Sequence, residues 1–199
     1  MSQTNIPSHP KILHFPKGGK PALAQNEWQI WGGDQSKNED EGGLPDLEHG
    51  VHKVLVPFTW WLSQLDSHHH EADVIAKAKN GQIGVWFATD DDILKHADVI
   101  EAGKTVWPLV AAHFPIFRDG RSFSTAALLR SRFAWQGEIR AIGDVLIDQL
   151  VQGARVGFDS FALRPDQNLD VALKQFDLYS VTTQNSWRGV RTTRATLSA

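Results

Sequence analysis

The sequence predicts an α/β fold: a mainly parallel sheet of about four or five strand–helix units, open or partially barrel-like, with a small N-terminal β hairpin. Two observations predict it. From residue 54 onward, short apolar runs alternate with stretches of helical period, and Gly, Asp and Asn punctuate the joints. The length of 199 residues suits one domain and falls short of the ~250 residues of an eight-unit barrel.

Residues 1–10 read as a polar arm. The runs at 11–15 and 28–31 flank Lys17-Gly18-Gly19-Lys20-Pro21, a turn signal, and predict the hairpin. Residues 32–43 are rich in Gly, Asp and Glu and predict a mobile loop. Val54-Leu55-Val56 predicts a strand ended by Pro57. Trp60, Trp61, Leu62 and Leu65 open a helix that runs to Lys79, and Asn80-Gly81 stops it.

The run at 83–88 is apolar throughout and predicts a buried strand. Thr89 or Asp90 is expected to cap the next helix. A strand follows over 109–117 and a helix over 122–133, where Ala126, Leu129 and Phe133 keep helical spacing. Next come a strand at 139–142 and a helix at 144–156, ended by Gly157 in the C′ position. A strand at 158–163 and a helix at 166–179 close the domain. Three segments result: an N-terminal arm, short β hairpin and acidic Gly-rich loop over 1–50, an α/β domain over 51–182, and a frayed polar tail over 183–199.

Composition narrows the function. The formal charge of −3 argues against a nucleic-acid partner. The absence of cysteine excludes disulfides, thiolate catalysis and cysteine-held metal or iron–sulfur centres. The first ten residues lack the apolar core of a signal peptide, and no run approaches the roughly 18 apolar residues of a membrane span. A cytoplasmic location, with no membrane partner, is the expectation.

Parallel sheets bind ligands at the carboxyl ends of their strands. Four joints are therefore expected on one edge: 89–92, 118–124, 143–144 and 164–166. The second is the richest. Asp119-Gly120 signals a turn, Gly120 permits close backbone approach, and Ser122 or Ser124 can cap the helix. Arg118, Arg121 and Arg140 can add charge for a sulfate, phosphate or carboxylate at free helix amides. The expected binding set is Arg118, Asp119, Gly120, Arg121, Ser122, Arg140 and Asp144. The competing reading is a tight joint whose arginines pair with Asp119, Asp144 and Asp148. Arg140, in a strand, must reach either a carboxylate or the ligand edge.

Asp144 and Asp148 stand at i, i+4 and read either as paired carboxylates or as an N-cap plus an ion-pair partner. His68-His69-His70-Glu71 lacks metal-ligand spacing and reads as a solvated turn, so no metal is expected. His113 reads as a hydrogen-bonded core histidine or a catalyst. Eight tryptophans read first as core, with a cofactor-stacking platform as the alternative. No dinucleotide, P-loop or nucleophile-elbow motif is present, and the cofactor stays unknown.

Several blocks together resemble a bacterial family, domain of unknown function nine hundred and thirty-four (DUF934). They are Phe114-Pro115-Ile116-Phe117-Arg118-Asp119-Gly120-Arg121-Ser122-Phe123-Ser124, Gly137-Glu138-Ile139-Arg140-Ala141-Ile142-Gly143-Asp144-Val145-Leu146, and Gly157-Phe158-Asp159-Ser160-Phe161. The likeness spans roughly residues 50–165 and departs from the family pattern at His113 and Val156. Members carry the label of an oxidoreductase involved in sulfite reduction. The resemblance implies an accessory protein or oxidoreductase of assimilatory sulfite or sulfate reduction. It also implies a sulfite reductase haemoprotein subunit as partner. It supplies no catalytic residue; Asp119 and Asp144 are candidates from their position alone. Two alternatives stay open: an independent enzyme binding a phosphorylated or carboxylated metabolite at the same edge, and a non-catalytic docking partner of sulfite reductase.

Overall fold

A computed structural model describes residues 10–32, 47, 53–66, 71–178 and 184–189. Eight strands form a curled open sheet: β1 (Lys11–His14), β2 (Ala22–Gln25), β3 (Gln29–Ile30), β4 (Val54–Pro57), β5 (Ile83–Phe87), β6 (Leu109–Phe114), β7 (Glu138–Gly143) and β8 (Ser160–Phe161). The helices are α1 (Phe58–Asp66), α2 (Glu71–Lys79), α3 (Ala97–Gly103), α4 (Arg121–Ser131), α5 (Leu150–Val156) and α6 (Leu169–Lys174). Across the sheet the order is β2-β1-β8-β7-β6-β5-β4-β3. The ladder from β3 to β8 is parallel, while β1 and β2 run antiparallel at one edge. The sheet is therefore mixed rather than mainly parallel, because the hairpin joins it instead of standing apart.

The strand order explains the layers. Successive parallel strands lie side by side, so right-handed crossovers place the described helices on the same face. Val56, Val85, Phe87, Val110, Ala112, Ile139 and Phe161 point to that face and meet Phe58, Trp61, Val74, Ile100, Leu129 and Ala154 of the helices. On the other face Leu55, Trp86, Leu109, Ala111, Ile142 and Ala162 pack with Ile12 and Ile30, and among the described residues no helical one joins them. Both faces of the strands are buried, which is why the strands read as continuous apolar runs.

Trp107 is the hub of the helix side. Its ring meets Phe58, Trp61, Phe87 and Trp135, with centroids 5.4–6.4 Å apart. Trp60, Trp61, Trp86, Trp107 and Trp135 are all buried, so these five serve the core and present no open ring for a cofactor.

Several boundaries differ from the expectations. The second hairpin strand is 22–25, and residues 29–30 instead add a parallel strand at the opposite sheet edge. Residues 144–156 do not form one helix: a 3₁₀ turn at Ile147–Gln149 precedes α5. Asp144 therefore lies outside the helix and is not its N-cap. Neither Thr89 nor Asp90 caps α3, which starts at Ala97. Asp91 accepts the Ala88 amide, and Asp92 accepts those of Leu94 and Lys95. Gly157 ends α5 as expected, with φ +130.

Part of the expected tail is built into the fold. Arg188 donates to the carbonyls of Ala154, Phe15 and Phe158. Trp187 lies between Lys17 and Arg130, 4.0 and 4.4 Å from its ring centroid. The arm at 1–9, most of the loop at 32–43 and the histidines at 68–70 lie outside the described residues.

Gly143 is where the backbone most constrains the sequence. Its φ is +93, and an added Cβ would collide with the Phe114 carbonyl oxygen and lie 2.6 Å from the His113 ring. Gly143→Ala is expected to destabilise the protein by ~3 kcal/mol, combining a left-handed conformation with overpacking. A denaturant melt of the variant checks this.

Candidate functional site

The four expected joints do share one edge. Each follows a strand of the parallel ladder, so all open at its carboxyl end. Their side chains, however, are mostly committed to one another. Arg121 grips Asp119 through Nε and Nη2, at 3.0 and 2.7 Å, and its backbone amide also donates to Asp119. The Arg121 hydrogen bonds hold the Asp119 carboxyl below the ordinary carboxylate range. Asp119, not Ser122 or Ser124, thus serves the first amide of α4.

Asp144 is a clamp between joints. Its Oδ2 accepts the Phe117 amide at 2.8 Å, and its Oδ1 accepts from Arg164 at 2.8 Å. Arg164 also forks onto Asp166, which pulls the Asp166 carboxyl down to about 2. Gln149 adds a further tie, donating to the Phe117 carbonyl at 2.7 Å. The loop between β6 and α4 is therefore pinned at three points, since Asp119 also donates its amide to the Ile116 carbonyl. What it presents outward is Ile116, Phe117 and Arg118. Arg118 forms no ion pair among the described residues.

Three members of the expected set behave differently. Ser122 is buried, and its hydroxyl donates to the His113 carbonyl. Gly120 has φ −85, and a Cβ there would meet nothing closer than Phe123 at 3.7 Å, so no backbone demand requires glycine. Arg140 does not reach the edge. It lies in mid-strand on the helix-free face, where it donates to Glu138 at 2.9 Å, Ser160 at 3.1 Å and Asn26 at 3.3 Å. The carboxylate its strand position demanded is Glu138. The structure brings together Asp119 with Arg121, and Arg118 with Asp144 through Phe117, but leaves Arg140 apart from them.

His113 occupies the helix-free face beside Trp86, ring centroids 5.3 Å apart, and burial lowers its pKa. Its ring has no hydrogen bond among the described residues, contrary to the expectation of a hydrogen-bonded core histidine. Among the described residues no group of three potential ligands could hold a metal ion. No helix among them is long and apolar enough to cross a membrane.

Sequence reasoning missed two clusters. Arg164 with Asp166 is an Arg-x-Asp pair at a strand end, a spacing that allows a fork within one turn. Arg130 had no such local signal. It is buried in α4 and pairs with Asp159, donating also to the carbonyls of Trp135, Gly137 and Gly157.

The Arg140 network has a pH signature. Burial acts to raise the Glu138 carboxyl, but Arg140, Ser160 and His14 outweigh it and leave the pKa below the usual 4.5. Its folded-state pKa thus lies below the unfolded one. The stabilisation is complete above about pH 4.5 and is lost as pH falls through the folded value. Glu138→Gln strands the buried Arg140 and is expected to cost ~3 kcal/mol at pH 7. The gap to wild type should close in the acid range, as read by denaturant melts at both pH values.

No curated protein matches this chain. A family model described as a bacterial protein of unknown function (DUF934) matches residues 84–193, a span that takes in β5 save its first residue, β6 to β8 and the whole pinned loop. With more than half its length inside that match, the chain belongs to the DUF934 family.

Proposed function

We propose that this protein is a non-catalytic accessory factor of assimilatory sulfite or sulfate reduction, acting beside the sulfite reductase haemoprotein subunit. The pathway rests on the family likeness. The accessory role rests on one observation: each carboxylate that would serve as acid or base is neutralised in place. Asp119 is forked by Arg121, and Asp144 is divided between Arg164 and the Phe117 amide. A general acid or base works best with a pKa near the working pH. Asp119 is driven the other way.

The second reading is oxyanion binding at the same edge. Arg118 favours it, as an exposed arginine beside the start of α4 that no carboxylate neutralises among the described residues. A sulfite or sulfate ion suits a guanidinium and helix amides. A phosphorylated or carboxylated metabolite would suit them equally, but turnover of it would need a proton from Asp119 or Asp144.

Deleting the gene should slow growth on sulfate or sulfite as sole sulfur source and leave growth on cysteine unchanged. Complementation with Asp119→Asn should restore growth. A general acid or base contributes about 10²-fold or more, so failure of folded Asp119→Asn to complement would make the chain an enzyme. Indifference of the deletion strain to every sulfur source would remove the pathway. Arg118→Ala tests the anion reading by abolishing any thermal shift that sulfite produces in the wild-type chain.

A further inference from the structure

We infer that the carboxyl edge around Phe117 is a self-association surface, covered by a second copy of this chain across a two-fold axis. The inference does not rest on the sulfite-reduction reading. Among the described residues the exposed large apolar side chains are Leu94 (49%), Ile116 (40%), Phe117 (47%), Val171 (45%) and Leu178 (59%). Three of the five sit in joints at the carboxyl edge, and two of those are adjacent.

The backbone that carries Ile116 and Phe117 is held in place. Asp144 holds the Phe117 amide, Gln149 holds its carbonyl, and the Asp119 amide holds the Ile116 carbonyl. An apolar pair fixed in an outward pose has already paid the ordering cost that weakens most flexible contacts. Such rigid exposure suits a docking anchor.

The flanking charges identify the occupant. Arg118 follows Phe117 directly. Asp148 precedes Gln149, whose amide touches the Phe117 carbonyl, so it too borders the loop. Both are exposed, and neither forms an ion pair among the described residues. The loop therefore carries an apolar centre flanked by an unneutralised cation, Arg118, and an unneutralised anion, Asp148. A two-fold axis through Phe117 makes such a patch complementary to itself. Arg118 of each copy then meets Asp148 of the other, and Phe117 packs against its counterpart. A partner of a single charge sign would satisfy only one of the two. The patch is small, which implies a weak, concentration-dependent dimer.

Sedimentation velocity on the full chain in low salt, across roughly 10 μM to 1 mM, should show a monomer passing into a dimer. Phe117→Ala should stay monomeric throughout. Arg118→Asp and Asp148→Arg should each weaken association about tenfold or more, the loss of one charge-assisted contact per half-interface. The combined swap should restore the wild-type dimer. Circular-dichroism melting of each variant establishes that it is folded. A wild-type chain that stays monomeric up to the highest concentration overturns the inference. So do folded single variants that associate like wild type, or a folded swap that stays monomeric. Growth on sulfate is not a readout here, so this result and the pathway result stand or fall separately.

Discussion

The constraint on which the structure depends is the one-directional order of its parallel strands. Because β4 to β8 follow one another across the sheet, every crossover between them returns on the same side. One face receives all the helices and the tryptophan cluster centred on Trp107. The other meets no helix among the described residues; there Ile12 of the N-terminal hairpin and Ile30 pack on side chains of the central strands. A doubly wound sheet would have buried that face under helices and left no place for Arg140, Glu138 and Ser160. Here the three satisfy one another in mid-sheet and reach across to Asn26, which ties the segment following β2 to the domain.

The same order sends four strand–helix joints to one edge, where charged residues are dense. Density alone does not make a binding site. Asp119 occupies Arg121, and Asp144 and Asp166 occupy Arg164, so most of the edge is electrostatically closed. These exposed pairs contribute little to stability, because water screens them and ordering the side chains costs entropy. Their effect is positional. Asp144, spending one oxygen on Arg164 and the other on the Phe117 amide, fixes the β6–α4 loop relative to β7 and β8.

The sequence made the strand–helix alternation legible because β4, β5 and β6 are buried on both faces and read as near-continuous apolar runs. Residues 83–87 and 109–114 are of this kind. The short elements were not legible. Residues 29–30 form a two-residue edge strand whose pairing with β4 has no local signal, since a parallel partner is chosen by tertiary packing. The helix expected over 144–156 started late because Asp144 is drawn to the Phe117 amide and Arg164, and Gln149 accepts the Leu146 amide. At the site, the edge position of Asp119, Arg121 and Asp144 was readable from the rule for parallel sheets. The departure of Arg140 was also implicit, since a residue in mid-strand cannot reach the edge. Which arginine pairs with which carboxylate is a matter of distances that spacing does not encode.

The two ends of the sheet are built in opposite ways. At the amino end of β8, Arg130 and Arg188 converge on Asp159 beneath Trp187. Burial, together with repulsion from Arg130, lowers the Arg188 pKa to about 10 even though Asp159 opposes the shift. Two buried guanidiniums around one carboxylate persist because backbone carbonyls take up most of the remaining donors: Trp135, Gly137 and Gly157 for Arg130, and Ala154, Phe15 and Phe158 for Nε and Nη2 of Arg188, whose Nη1 has no partner among the described residues. Such an end is sealed, and opening it would expose charge with no substitute partner. The carboxyl end holds its charges in exposed pairs that can be exchanged at small cost, and it shows an apolar pair that nothing within the described chain covers. The exposed Ile116–Phe117 pair stands on a loop held by Asp144 and Gln149, so a second molecule can meet it without reordering that backbone.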